Sequence, residues 1–391
     1  MLAVSAARMT PGPNARAGAD LTGFGVRVLL KTTTIGETDN GSISPYSIYA
    51  ALAMTDAGAR GASQRQLATV LGGDQQRQAG NITAIDAAVA KAIKASGTNK
   101  DSASVVQAAN SLWPDKDLAV HKDYLHALAT GYDAQLHVVD YKGDAAGALR
   151  QINGWVSERT HGLIPTLLTA KDVTPRSLLE LVNALYLKAS WQEQFGTPSA
   201  PRAFTTATDT TVQVPYMKAE SRTPVAAGSN WQSVTIPYVG GGLAMTIVLP
   251  AKGAFGAVRK QLATVLPKAV KGTADGKVTL TMPPFSIDTR SQLVPALEAL
   301  GVRDLFGAGA DLSGIAGKPG DIKVSSVTHQ SIVKVDQHGT EAAAATGVGM
   351  EPGAAPSQLP KTLDVDRAFF FAIHDTQTGA PLFLGQVADP S

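Results

Sequence analysis

The segment Asp336–Thr346, Asp-Gln-His-Gly-Thr-Glu-Ala-Ala-Ala-Ala-Thr, limits the folds open to this chain more than any other stretch. Ser331–Val335 precedes it, apolar and polar in alternation, as in a half-buried strand. Gly347–Pro360 follows, too rich in Gly and Pro for regular structure. Two readings compete for the part between. Alanine is the best helix former, so Glu341–Ala345 reads as one or two helical turns in a linker. As a strand, the same residues alternate between faces. Thr340, Ala342, Ala344, Thr346 and Val348 then share one face, and Glu341, Ala343, Ala345, Gly347 and Gly349 the other. The first face is small and uncharged. Such a strand can lie exposed, or slip between two others without steric or desolvation cost. Alanine is a poor strand former, so burial must drive that step.

The rest of the chain is that of an ordinary globular protein. It has 391 residues, enough for a large core, with 44% hydrophobic and 17% charged residues. The net charge of +2 and scattered lysines give no electrostatic footprint for nucleic acid. There is no cysteine, which excludes disulfides, thiol catalysis and thiolate metal sites. No stretch is apolar for long enough to span a bilayer. Met1–Arg8 lacks a basic region followed by a long apolar core, so it does not read as a signal peptide. It fits a mature form with an added Met, or a cytoplasmic chain; an extracellular protein is the expectation.

Taken in order, residues 1–18 read as a frayed tail, and residues 19–391 as one domain. A helix is expected over Asp20–Lys31. A second opens at Ser44-Pro45, a cap and first-turn pair, and a third ends near Gly72. Ile85–Ala95 reads as an amphipathic helix whose Lys91 and Lys94 form a solvated face. The sequon Asn81-Ile-Thr83 reads as a chance match. Strands are expected at Ser104–Trp113 and Leu178–Leu187, the latter apolar throughout, with a helix at Ala146–Thr160 between them. Short strands fill Phe204–Pro250, one strand covers Lys277–Ile287, and a helix covers Leu293–Leu300. Helices and strands mix without a βαβ beat or an internal repeat, which indicates α+β architecture.

An enzyme is not supported. Gly-x-Ser-x-Gly, His-Glu-x-x-His, Gly-x-x-x-x-Gly-Lys and Gly-x-Gly-x-x-Gly are all absent, and the seven histidines stand apart from one another. A convergent Ser-His-Asp triad has nothing in its favour.

Several stretches together resemble one family. Gly339–Thr346 is similar to the hinge of inhibitory serpins, and Phe369–Val387 to their C-terminal hairpin. Ser44-Pro-Tyr-Ser-Ile48, Ala109–Trp113, Ile152–Val156, Asn183–Trp191 with Phe195, Val214–Lys218 and Ile236–Tyr238 match the family in the correct order. The likeness covers roughly Asp20–Pro390. It implies three β-sheets, about nine helices and an exposed reactive-centre loop, with hinge and loop near 337–362. It implies a monomer without cofactor or metal, whose partner is a serine protease held covalently. The cleaved loop of about 14 residues, at ~3.3 Å each, would insert as a strand roughly 45 Å long. The hinge is then Gly339, Thr340, Glu341, Ala342, Ala343, Ala344, Ala345 and Thr346. Ser44, Ser47, Asn183 and His329 form a shutter under the point where the sheet parts; the plain reading of His329 is a satisfied core histidine. Trp191 lies at the top, in the breach where insertion starts, or is simple core packing.

Counting from Gly339 by the family's spacing places the scissile bond at Gly353-Ala354. Counting back from Phe369 places it nearer Ser357, with Ala355 as a further candidate. The hinge count is preferred because that side must insert in register. Small residues there fit an elastase-like or subtilisin-like protease. Two positions depart from the pattern: Gln337 where Glu is usual, and Ala368 where Pro is usual. The rival within the family is a non-inhibitory carrier or chaperone, which the clean hinge face disfavours.

Overall fold

The computed structural model describes residues 2, 4–11, 16–99, 103–134, 136–273, 277–341 and 361–391. Elements are numbered in chain order. Five strands form the sheet that matters most: β11 (Phe285–Gln292), β12 (Ser326–Val335), β13 (Gly339–Thr340), β3 (Leu179–Ser190) and β2 (Val105–Pro114), side by side in that order. A second sheet has six: β1 (Gly41–Ile43), β16 (Pro381–Val387), β15 (Phe369–Asp375), β9 (Leu243–Pro250), β8 (Trp231–Pro237) and β7 (Val225–Ala227). A third sets β10 (Lys277–Met282) between β14 (Lys361–Asp364) and β6 (Met217–Arg222). A separate hairpin pairs β4 (Arg202–Thr205) with β5 (Thr211–Val214). The α-helices among the described residues are α1 (Ala17–Lys31), α2 (Pro45–Gly58), α3 (Gly61–Leu71), α4 (Gln75–Ala95), α5 (Lys122–Tyr132), α6 (Tyr141–Arg159), α7 (Phe255–Lys260), α8 (Leu262–Val270) and α9 (Val294–Ala299). The α+β expectation of three sheets and nine helices is met, with the small hairpin in addition.

β3 shows how the main sheet is built. It is buried on both faces, and its residues divide by parity. Leu181, Leu185, Leu187 and Ala189 face the main core, while Val182 and Ala184 join the smaller cluster with Ile152 and Val156 of α6. Helix α2 packs under the core face. Ser44 caps it, its Oγ accepting from the Ser47 N–H at 3.1 Å, and Pro45 follows in the first turn. α2 is buried nearly all round, since Ala50, Ala51 and Ala53 let sheet and helices approach closely.

Three expectations change. Lys277–Ile287 is two strands, not one. Pro283-Pro284 cannot donate to a ladder, so the chain breaks there and passes from the β10 sheet to the main sheet. The described residues of the N-terminal stretch are not frayed. Leu2 pairs with Leu136, Met9 N–H donates to Thr130 O at 2.9 Å, and Arg8 pairs with Asp86. Leu2 and Met9 pack on the core, which gives the stretch a reason to stay. Helices α5, α7 and α8 fall in stretches for which the sequence reading named no element. Asn81 is fully buried and donates to Asp20 and Tyr49, so its sequon is a chance match.

Candidate functional site

Between β12 and β3 the main sheet is pinned in two places, and the hinge enters between them. In the lower half the strands pair in parallel, from Ser326 opposite Glu180 to Ser331 opposite Leu185. Above that they diverge, and β13 fills the space. Thr340 lies opposite Val335 on β12 and Ala189 on β3, antiparallel to both. The first two hinge residues are therefore already a short central strand.

Gly339 is required there by close approach. A Cβ at this position would stand 2.1 Å from Ala189 O and 2.8 Å from Ser190 Cα, both backbone atoms. Thr340 points inward at 3% exposure, and its hydroxyl shares a 2.6 Å hydrogen bond with Tyr238 Oη. Tyr238 stacks on Trp191, ring centroids 4.5 Å apart and planes within 9°. Trp191 Nε1 donates to Asp336 O at 2.9 Å, and its backbone N–H donates to His338 O. Trp191 is thus both core packing and the clasp that holds the turn ahead of the hinge. Glu341 follows the end of β13, and its N–H donates to Lys334 O. Its φ of +50° is left-handed, uncommon for a residue with a Cβ. Partial burial pushes its carboxyl up to about 7 against the pull of Lys334 and Lys188.

The four shutter residues meet directly. His329 Nε2 accepts from the Ser44 N–H at 2.9 Å, which leaves the proton on Nδ1 to donate to Asn183 Oδ1. Ser47 Oγ donates to Ala184 O at 3.2 Å. His329 is fully buried, and burial pushes its pKa down to about 3, so the imidazole is neutral. It is a satisfied core histidine and also the bolt between β12, β3 and the start of α2. Asn183 Nδ2 is buried with no acceptor among the described residues.

Residues missed in the sequence complete both ends. Ser42 and Ser331 share a 2.6 Å hydroxyl bond, and Ser331 Oγ donates to Ser42 O, tying β1 to β12. Tyr238 and Asp336 belong to the clasp. The two departures find local reasons. Ala368 N–H donates to Thr205 O at 3.0 Å, which proline could not do. Gln337 O accepts from the Phe195 N–H, and its amide meets His338 rather than an ion-pair partner. Ala342, Ala343, Ala344, Ala345 and Thr346, with the candidate bond residues Gly353, Ala354, Ala355 and Ser357, lie outside the described residues. The described chain resumes at β14, where Lys361 pairs in parallel with Val278.

Comparison with known proteins decides the family: the description "Serpin (serine protease inhibitor)" matches residues 19–390. The chain is a serpin. Iripin-2 of Ixodes ricinus is 34% identical over 376 residues, covering 93% of this chain and 91% of its own. The leukocyte elastase inhibitor of Bos taurus is 32% identical over 381 residues, 94% and 98% of the two chains. Among solved structures, the thermophilic serpin Tengpin in its native state superposes with a TM-score of 0.81 at 25% identity, covering 100% of this chain and 97% of that one. Human thyroxine-binding globulin with its ligand gives 0.79 at 25%, covering 96% and 100%. Serpins as a family inhibit proteases rather than catalyse reactions, and an exposed loop and a conformational change are general features of the fold.

Proposed function

We propose that this serpin inhibits a serine protease as a suicide substrate. The protease attacks the loop and forms an acyl-enzyme. The freed hinge then extends β13 downward between β12 and β3, carrying the tethered protease with it. The intact form is on this reading kinetically trapped rather than at its deepest minimum. The observation that carries the proposal is the seated pair Gly339–Thr340, with Thr340 turned inward.

The register says where an advancing strand would arrive. Thr346, six residues beyond Thr340, would come opposite Asn183 and His329, six before Ala189 and Val335. Its hydroxyl would meet the unpartnered Asn183 amide as the His329–Asn183 bond gives way. Residue 349 would reach Glu180 and Ser326, where β12 begins. Ten residues, 340–349, therefore gain partners on both sides, a paired length of about 33 Å. That is shorter than the 45 Å expected from loop length alone.

Small residues at the candidate bonds favour an elastase-like or subtilisin-like target, and the likeness to leukocyte elastase inhibitors points the same way. The test is incubation with a panel of serine proteases. An SDS-stable complex is expected, with a released peptide that starts at Ala354. Turnover of the chain by every protease, with no complex, would overturn the proposal. The thyroxine-binding neighbour motivates a second reading, a carrier without inhibition. Nicking the loop separates the two: insertion raises the unfolding temperature sharply, whereas a carrier with a non-inserting loop shows no such rise.

A further inference from the structure

A single torsion ends the short central strand. Glu341 follows Thr340 with a φ of +50°, left-handed backbone that crowds the Cβ of any residue but glycine. Its N–H nevertheless donates to Lys334 O at 2.9 Å. That bond is a rung of the same antiparallel ladder that sets Thr340 opposite Val335. Carried one residue further, the register places position 341 opposite Lys334 on β12 and Lys188 on β3, because Thr340 stands opposite Val335 and Ala189. Both lysines alternate with residues of the main core. Val333, Val335, Leu187 and Ala189 are buried there, whereas Lys334 is exposed and Lys188 half-buried on the other face. The two ammonium groups thus flank the lane that a longer β13 would take. Both already attract the half-buried Glu341 carboxyl.

We propose that Glu341 is the pivot of hinge entry and that Lys334 and Lys188 draw it in. Extending β13 by one residue turns the left-handed torsion into extended backbone and relieves the crowding at the Cβ. The same rotation sets the carboxylate between two ammonium groups, a cross-strand ion pair on each side. The pull acts at the first step, before any residue beyond 341 has gained a partner. Glu341 is a positioning residue in this scheme, since it touches no reacting atom. It sets how fast the freed hinge starts inward, and insertion competes with hydrolysis of the acyl-enzyme. A small change in the entry rate therefore shows in the share of chains that end as complex. The inference rests on the inhibitory reading above and adds to it the residues that start the motion.

The test uses the full-length chain at pH 8, above the value of about 7 to which burial pushes the Glu341 carboxyl. Each variant is mixed with a protease that forms the SDS-stable complex, and the ratio of complex to cleaved chain is measured. One cross-strand ion pair is worth up to about fivefold in rate, so Glu341→Gln should lower the ratio by roughly two- to fivefold. Glu341→Lys sets three cations side by side and should lower it by about tenfold. Adding Lys334→Glu to Glu341→Lys should bring it back to within about twofold of Glu341→Gln, a rescue that a purely structural role would not give. Raising the salt to about 0.5 M should narrow the gap between wild type and Glu341→Gln. An unfolding midpoint near wild type checks that each intact variant folds. An unchanged ratio in Glu341→Gln, or no rescue by Lys334→Glu, overturns the pivot. Nicking keeps the two readings apart. If cleavage raises the wild-type unfolding temperature but the variants leave the ratio unchanged, the inhibitory reading stands and the pivot alone falls. No rise and no complex with any protease removes both.

Discussion

The six-stranded sheet and the main sheet are joined by different chemistry. β15 and β16 are buried at every position, and Phe369, Phe370, Phe371 and Phe383 fill their faces. Phe371 and Phe369 pack on Phe285 with centroids 5.3 and 5.6 Å apart. Parting such strands exposes apolar surface and leaves cavities, so the sheet has one favourable arrangement. The seam between β3 and β12 is crossed by polar pairs, His329 with Asn183 and Ser326 with Glu180, and Ser331 of β12 is tied to Ser42 of β1. Polar pairs can be exchanged for other polar pairs at small net cost, provided none is left unmade. On the proposed mechanism, the first sheet holds and the second is re-paired.

Thr340→Arg should break this contrast most severely. Thr340 occupies a nearly sealed position against Tyr238. An arginine there would bury an unpaired guanidinium between β12 and β3, which costs several kcal/mol. The variant should be cleaved as a substrate, with no SDS-stable complex, while its far-UV spectrum stays native. A complex at wild-type stoichiometry would mean that the seam does not admit the hinge. Phe371→Ala probes the other sheet. Removing a fully buried aromatic costs about 3–5 kcal/mol. Denaturation should shift by that amount, and whatever remains folded should inhibit with unchanged stoichiometry. A changed stoichiometry would show that the two sheets are not independent.

Which parts of this were legible in the sequence follows from how each is encoded. The inward side chain of Thr340 was readable because strand alternation is local; the rest of the expected hinge face lies outside the described residues. The start of α2 was readable because Ser44-Pro45 caps within four residues. The clasp was not, since Tyr238 lies about a hundred positions from Thr340 and nothing near either residue marks the bond. Ser42 and Ser331 are small residues in unremarkable strands, and only their meeting gives them a role. The shutter residues were identified through resemblance, not through any pattern of their own. The break at Pro283-Pro284 had a signal, proline's missing donor, which the apolar run on both sides obscured.

His329→Leu should act on the seam with a smaller effect, about 1–3 kcal/mol. It leaves the Ser44 N–H and Asn183 Oδ1 without their His329 partner in a fully buried site. The pH dependence identifies the cause. An unfolded histidine titrates near 6.5, but the buried ring does so only near 3. Its contribution is therefore full above 6.5 and declines as pH falls toward 3. The variant should lose that part of the acid slope, measured as the denaturation midpoint from pH 7 to 4. An unaltered slope would assign acid sensitivity elsewhere.

The mildest lever sits at the foot of the seam. Ser326 Oγ donates to Glu180 Oε2 at 2.5 Å, and burial pushes the Glu180 carboxyl up to about 7. The unfolded carboxyl titrates near 4.5, so between those values the folded state holds a proton that the unfolded state releases. The stabilising contribution is full below 4.5 and is lost as pH rises through 7. Glu180→Gln keeps a neutral hydrogen-bonding group at every pH. It should match wild type near pH 4.5 and exceed it above pH 7.5, by an order of ~1–3 kcal/mol. Buried Asp56, pushed up to about 6, gives a slope of the same sign, so the comparison must be between proteins rather than within one. A difference that stays constant with pH would show that Glu180 is not the titrating group. If it is, alkaline conditions loosen the lower seam, where an inserted strand would end, without touching the phenylalanine-filled sheet, and complex formation should quicken above pH 7 in wild type but not in the variant.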